Sequence, residues 1–221
     1  MIKIGRAELI TLIFVFLMIL TGMVLFAIDR SLFRDYVHED GIIEWLTVAA
    51  LVCGMIICLT RTIRLRNKKP LLFLSGTVFF TLVFIFGAGE EVSWGERMFN
   101  LDTLEFFQKH NAQNERNLHN LVVYGVKINK LVFSKILGIV AVMYTLLLPY
   151  LYRKKAGMKK FIDSLAIPIP MVHHVLSILL VLILINLIPD SKIGELLEFG
   201  GSYVFVLIVL YPYNKDIFQG V

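Results

Sequence analysis

The sequence predicts an all-α integral membrane protein, and three observations support that fold class. Of the 221 residues, 57% are hydrophobic and 18% are charged, whereas a soluble domain carries about 25% charged residues. The apolar residues form runs of about 20, the length of helix that crosses a ~30 Å hydrocarbon layer. These runs are continuous, unlike the alternating strands of a transmembrane barrel. We therefore expect one helical bundle over residues 1–221.

About six spans can be placed along the chain. The first is uncharged and too long for the core of a signal peptide, which predicts a retained anchor. The second carries Glu44 in its first turn, and the last begins with the polar stretch GELLEFGGSY, which makes it short. The predicted spans are residues 9–28, 42–60, 71–89, 131–152, 171–188 and 196–212.

The longest connection, at about residues 90–130, lies between the third and fourth spans. Ordered connections of this length are usually functional, and the aromatic and apolar content here argues against disorder. Asn111, Glu115 and His119 follow the spacing i, i+4 and i+8, which predicts a short helix with these side chains on one face. We expect a re-entrant or interfacial helical segment.

Basic residues predict the orientation of the bundle. The short connections RTIRLRNKK (61–69) and RKKAGMKK (153–160) are dense in lysine and arginine, which are retained in the cytoplasm when they lie near span ends. Both termini are then cytoplasmic, and the long connection lies outside. The formal charge of +5 is explained by this bias, so we expect membrane lipid as a partner and no nucleic acid. The sequence leaves the oligomeric state open.

Acidic and polar residues gather at the predicted outer ends of the spans. They occur in HEDGIIEWLT (38–47), GAGEEVSWGERMFN (87–100), NAQNERNLHNL (111–121) and GELLEF (194–199). An ionisable group near hydrocarbon is costly unless it is paired, hydrated or bound to an ion. Several span ends with this feature predict one shared polar pocket. The candidate catalytic residues are Glu44, Glu91, Glu115, His119 and Glu198, and the candidate substrate-binding residues are Glu39, Asp40, Glu90, Ser93, Trp94, Arg97, Asn117, Asn120 and Glu195.

The spacing of Glu115 and His119 allows more than one role. Two such side chains on a helix can bind one metal ion, or the carboxylate can orient the imidazole for acid–base work. A hydrogen-bonded structural histidine is the alternative. With Glu91, these residues are the candidate ligands of a divalent metal, while Arg97 is the natural counter-charge.

Other polar residues have plainer interpretations. Ser93 lacks the GxSxG context of a nucleophile, which favours a hydrogen-bonding role. Trp45 and Trp94 are typical of the headgroup level. His173 and His174 fall at the cytoplasmic end of the fifth span, far from the acidic residues, and we expect them to be interfacial.

The four polar stretches resemble, in order and spacing, the motifs EDGxxEWxT, GEExSWGQRxF, NxQxExNLHNL and ELxE. These motifs belong to a family of bacterial multi-pass inner-membrane proteins of uncharacterised function, and SWGxR and NLHN are the most specific parts. The resemblance covers about Glu39 to Phe199 and implies a bacterial cytoplasmic membrane. Glu96 departs from the pattern, which has glutamine there.

Three functions are compatible with this pattern. The first is an intramembrane hydrolase or transferase that acts on a lipid or lipid-linked headgroup, with carboxylates and His119 as acid–base groups or metal ligands. The second is a cation- or proton-linked transporter or ion-binding protein, although the sequence shows no inverted repeat. The third is a structural membrane subunit in which the glutamates form an ion-pair network between helix ends.

Overall fold

The long apolar runs of the sequence fold into helices. The structure is a computed structural model, and it describes residues 4–99, 102–111, 116–118, 121–123, 126–127 and 136–219. The helices are α1 (Arg6–Ile28), α2 (Arg30–Tyr36), α3 (Ile42–Leu65), α4 (Leu71–Glu91), α5 (Glu96–Phe99), α6 (Glu105–His110), α7 (Leu137–Val142), α8 (Leu148–Lys154), α9 (Ala156–Ser164), α10 (Val172–Asn186) and α11 (Gly194–Leu210). Short 3-10 turns cover Ser93–Gly95, Ser191–Ile193 and Lys215–Phe218. Two strands, β1 (Val122–Val123) and β2 (Val126–Lys127), pair antiparallel.

Within the described residues, 4 helices are long and apolar enough to cross a membrane by length and composition. They are α1, α3, α4 and the helical stretch Ser191–Leu210, which joins a 3-10 turn to α11. In the interior of a helix the backbone groups are hydrogen-bonded within the segment, as hydrocarbon requires. The helices fit a membrane protein and confirm the predicted helical class.

The fourth predicted span is helical in its described part, and the fifth forms a helix shorter than predicted. α7 and α8 are joined by a π-helical turn, Met143–Leu147, into one helix from Leu137 to Lys154. Residues 131–135 of that predicted span lie outside the described residues. α10 has 15 residues, fewer than the ~20 that a full crossing needs. A bundle of six spans therefore stays a prediction.

α11 is the most enclosed of the long helices. It packs against α1, α3 and α10, and α3 in turn packs against α4. Of its apolar window 44% is buried, compared with 22% for α1. Glycines allow this close approach. A Cβ at Gly200 would lie 2.8 Å from Val181 of α10, and one at Gly54 would lie 2.4 Å from the Phe84 ring of α4.

The two ends of the bundle differ in charge. Glu44, Glu91 and Glu198 lie where α3 and α11 begin and α4 ends, and we call this the acidic end. At the opposite, basic end, Arg61 donates through Nη1 to the Val209 carbonyl at 2.6 Å and through Nη2 to the Leu210 carbonyl at 3.2 Å. These bonds satisfy carbonyls that the last turn of α11 leaves without intrahelical donors.

The predicted helix that starts at Asn111 is wrong for the residues that can be compared. α6 ends at His110, and Asn111 is extended and forms a β-bridge with Leu121. Asn111 Nδ2 donates to the backbone carbonyl of Asn117 at 2.8 Å and to its side-chain oxygen at 2.9 Å. Asparagine side chains often replace helical bonds in this way. A re-entrant or interfacial position for this segment stays a prediction.

Candidate functional site

The acidic end brings together carboxylates from helices that are distant in sequence. Glu44 lies in the first turn of α3, Glu91 is the last residue of α4, and Glu195 and Glu198 lie near the start of α11. Because α3 packs against both other helices, the charge of Glu91 interacts with those of Glu44, Glu195, Glu198 and the adjacent Glu90. We call Glu44, Glu91, Glu195 and Glu198 the carboxylate cluster.

The segment before α3 lies against this cluster. The backbone N–H of Asp40 donates to Glu44 Oε2 at 2.8 Å, and Asp40 itself has a φ of 60°. Glu39 is paired with Lys192 at 2.8 Å, and both side chains are partly exposed. Glu44 is buried, so Glu39 forms the outer rim and Glu44 the inner part of this group.

Glu90 holds two other segments. Its Oε1 accepts from Trp94 Nε1 at 2.8 Å, and its Oε2 accepts from the backbone N–H of Leu118 at 2.7 Å. The residue is buried, and a buried carboxylate is stabilised by such donors. Glu90 therefore fixes the described part of the long connection to the end of α4.

Glu96 makes a second attachment of the same kind. Its Oε2 accepts from the backbone N–H of Arg116 at 2.6 Å, and its Oε1 accepts from the Thr103 hydroxyl. The residue is buried. This position, where the resembling motif has glutamine, serves as an acceptor of hydrogen bonds within the connection.

The SWG turn has an unusual backbone. Ser93, Trp94 and Gly95 have φ values of 46°, 54° and 78°, a left-handed conformation that costs a non-glycine residue about 1–2 kcal/mol. Ser93 is buried, and its Oγ accepts from Asn117 Nδ2 at 3.0 Å. The predicted hydrogen-bonding role of Ser93 is confirmed. Backbone strain of this kind concentrates at functional sites.

Several predicted site residues cannot be placed. Glu115, His119 and Asn120 lie outside the described residues, as does the side chain of Arg97. Of the predicted metal ligands only Glu91 is described, so that metal site and the Glu115–His119 pair stay predictions.

Residues outside the predicted site form a buried polar group at the basic end. Glu8, in the first turn of α1, places Oε1 at 2.7 Å from His173 Nε2 and at 2.6 Å from His174 Nε2. The three residues are 2%, 5% and 0% exposed. His173 and His174, which we expected to be interfacial, are instead buried in the bundle against a carboxylate at the start of another helix.

Hydrogen bonding identifies the tautomer of His174. Its Nδ1 accepts from the backbone N–H of Met171 at 3.2 Å, so the ring proton lies on Nε2 and is donated to Glu8. Glu8 Oε2 also accepts from the Gly5 N–H at 3.3 Å. Glu8 thus accepts from His174 through Oε1 and from Gly5 through Oε2. The N-termini of α1 and α10 point toward it, and their dipoles favour negative charge there.

The donor types of this group are those of a zinc site. One carboxylate oxygen and two imidazole nitrogens lie within 4.8 Å of one another, and two histidines with one glutamate can hold Zn²⁺. However, a metal at Nε2 needs that nitrogen free of its proton, and in His174 the other nitrogen already accepts a hydrogen bond. The observed geometry therefore favours a hydrogen-bonded group.

A signal for this group was present in the sequence. Glu8 is the acidic residue nearest the start of the first span, and His173 and His174 open the fifth span on the same predicted side. Two polar span ends on one side of a bundle favour mutual contact. Their separation of 165 and 166 positions hides the pairing from any local pattern.

Comparisons with protein-family models, curated proteins and solved structures give no match to this chain.

Proposed function

We propose that the protein is a multi-pass membrane enzyme that acts at its acidic end on the headgroup of a lipid or lipid-linked substrate, by hydrolysis or transfer. The observation that carries this proposal is that Glu44, Glu91, Glu195 and Glu198 lie at the same end of helices that pack against one another. These residues come from α3, α4 and α11, so only the folded bundle brings them together.

The chemistry follows from the proximity of like charges. Carboxylates that share a site do not all ionise, because each negative charge disfavours the next. The group then presents both a carboxylic acid and a carboxylate, the pair that general acid–base catalysis uses. Carboxylate oxygens are also ligands for divalent cations, so a metal-assisted reaction would use the same residues.

The position of the cluster supports a lipid substrate. Glu44 and Glu91 lie at the ends of helices that are long enough to cross the hydrocarbon. The ends of such helices lie at the depth of the lipid headgroups. Trp45 and Trp94 at the same end are 43% and 46% exposed, as aromatic residues at the headgroup level are. With cytoplasmic termini, as the basic connections predict, this end faces outward from a bacterial cytoplasmic membrane.

A lipid-conversion assay tests the proposal. Purified protein in lipid nanodiscs is incubated with bacterial polar lipids, with and without Mg²⁺ or Zn²⁺, and mass spectrometry follows the lipid species lost and gained. We expect the wild type to convert at least one species and Glu91→Gln to reduce the rate by about 100-fold or more. Glu105→Gln is the control, because Glu105 is exposed and paired only with Lys109 among the described residues. The proposed enzymatic function would be refuted if the wild type converted no lipid, or if Glu91→Gln converted lipid as fast as the wild type.

Proton- or cation-linked transport is the second candidate. It is favoured by the Glu8–His173–His174 group, which places buried protonatable residues at the end opposite the carboxylate cluster. Against transport, the described core between the two groups is apolar, with Ile19, Ile185 and Phe199 fully buried, whereas protons or cations would need a polar path. A transporter would carry protons or cations across proteoliposomes under a gradient, and Glu8→Gln would stop it.

A further inference from the structure

A groove at the basic end lies between the helix Leu137–Lys154 and α10, with a volume of about 370 Å³. On the first helix it is lined by Leu146, Tyr150, Arg153 and Lys154, among others, and on α10 by Val175 and Leu176. Positions 146, 150 and 153 or 154 are one turn apart, so the groove follows one helix face for about 12 Å.

The π-helical turn and a proline account for the gap between the helices. Pro149 has no N–H to donate to the carbonyl of Thr145 four residues before it, and the turn Met143–Leu147 is wider than an α-turn. Thr145, a small residue, lines the groove at this level. Pro170 lines it at the start of α10. The opening is therefore built into the backbone and does not depend on one side-chain rotamer.

The groove walls are apolar and face outward. Leu146 and Leu176 are 50% and 56% exposed, yet both belong to apolar helices that the sequence predicts to be membrane spans. Only hydrocarbon covers such side chains without cost in a bilayer. An acyl chain of a lipid is thus the chemical group that fits this part of the groove.

The mouth of the groove is positively charged. Arg153 and Lys154 lie side by side in the last turn of α8, and neither is in an ion pair within the part of the chain that the structure describes. The Arg153 guanidinium lies 4.8 Å from the centre of the Tyr213 ring, a contact that orients it. By contrast, Lys159 on the neighbouring α9 is paired with Asp163 at 2.7 Å.

We propose that this groove binds an anionic phospholipid, with an acyl chain along Leu146 and Leu176 and the phosphate at Arg153 and Lys154. Basic pockets between membrane helices bind anionic headgroups in this way, at about 1 kcal/mol for each lysine or arginine near the surface. The site is at the end opposite the carboxylate cluster, so it is independent of the proposed enzyme.

Native mass spectrometry of the full chain tests the proposal, with phosphatidylglycerol and phosphatidylcholine as probes at equal concentration. We expect one phosphatidylglycerol to be retained in preference to phosphatidylcholine. Arg153→Gln with Lys154→Gln should weaken that retention about 10-fold or more. The control, Lys155→Gln with Lys160→Gln, removes the same charge from exposed residues that do not line the groove, and it should weaken retention less than about 3-fold.

A second variant tests the apolar part without changing charge. Val175→Phe fills the groove and should reduce retention of phosphatidylglycerol. If its melting temperature falls below that of the wild type, Val175→Ala is used; it removes apolar contact area from the same wall and should also reduce retention. If the control double variant lost as much phosphatidylglycerol as the Arg153→Gln, Lys154→Gln variant, the proposal would be overturned in favour of diffuse attraction to the basic surface. Competition by millimolar inorganic phosphate would overturn it in favour of a soluble anion, and equal retention of both lipids would remove the anionic specificity.

Discussion

Glu8 Oε1 accepts a hydrogen bond from His174 Nε2 at 2.6 Å and thereby joins the first turn of α1 to the first turn of α10. His173 Nε2 lies 2.7 Å from the same oxygen. A single carboxylate thus contacts two buried imidazoles through their Nε2 atoms, and its removal leaves both nitrogens without that partner. Such groups cost about 1–3 kcal/mol each when they stay buried.

Glu8→Ala should therefore destabilise the fold by about 2 kcal/mol or more. Glu8→Gln should lie between the alanine variant and the wild type, because the amide keeps one acceptor oxygen. Thermal unfolding in mild detergent measures the difference, with the exposed Glu105→Ala as the control. If Glu8→Ala melted at the same temperature as Glu105→Ala, the Glu8–His174 hydrogen bond would not contribute to the stability of the fold.

The tautomer of His174 gives a spectroscopic prediction. Nitrogen-15 NMR of labelled histidine should show a protonated Nε2 and an unprotonated Nδ1, because Nδ1 accepts from the Met171 N–H. Addition of Zn²⁺ should leave these signals in place. A zinc-dependent shift of both rings that Glu8→Gln abolishes would instead identify a metal site and contradict the hydrogen-bonded interpretation.

Asp190 provides a pH dependence outside the long helices. Hydrogen bonds from the Lys192 backbone and from the Arg30 side chain lower the pKa of Asp190 from 3.8 to about 2, and Arg34 adds to the effect. A lowered folded-state pKa means that the stabilisation is fully present above the unfolded pKa and is lost as the pH falls through the folded one. Asp190 should therefore stabilise the fold above about pH 4, and this contribution should disappear toward pH 2.

The check is thermal unfolding as a function of pH. Asp190→Asn should melt below the wild type at pH 6, and the two curves should converge as the pH approaches 2. Asp35→Asn removes an exposed carboxylate from α2, the helix that carries Arg30 and Arg34, and should not reproduce this convergence. A constant difference between Asp190→Asn and the wild type at all pH values would show that the ion pairs are not responsible.

The two bonds of Glu90 give a prediction about the long connection. Glu90→Ala removes the acceptor of Trp94 Nε1 and of the Leu118 N–H, so the segment should open more often and be cut faster by a protease. Limited proteolysis of the protein in nanodiscs, followed by mass spectrometry of the fragments, measures the rate. Glu90→Gln should be cut at an intermediate rate. Equal rates for Glu90→Ala and Glu105→Ala would contradict the attachment.

Helix positions were predictable because the apolar runs are continuous. α1, α3 and α4 cover the predicted spans 9–28, 42–60 and 71–89, and each helix extends a few residues further. The last span was predicted to be short because of its polar start, yet Ser191–Leu210 is helical throughout and reaches 20 residues. Glu195 and Glu198 lie on that helix beside other carboxylates. The polar start of the span therefore marks the part of the helix that belongs to the carboxylate cluster, and it does not shorten the helix.

Long-range polar pairs were less predictable. The order of the spans along the chain predicted that Glu44, Glu91 and Glu198 lie on one side of the membrane, because successive spans cross it in opposite directions. No such rule pairs Glu8 with His174, because the contact depends on how α1 and α10 pack against each other. The stretch around Asn111 was predicted to be helical from spacing, but the hydrogen bonds of its side chain compete with the helix.

The carboxylate cluster predicts non-additive effects on lipid conversion. If Glu91 and Glu198 share protons as one acid–base unit, removal of either disables it, and the double variant has little more to lose. Glu91→Gln with Glu198→Gln should therefore convert lipid about as slowly as the slower single variant. Glu91→Gln with Glu105→Gln provides the additive reference, because Glu105 is exposed and pairs with Lys109. A double variant whose loss equals the product of the two single losses would mean that Glu91 and Glu198 act independently, and the shared-proton chemistry would have to be abandoned.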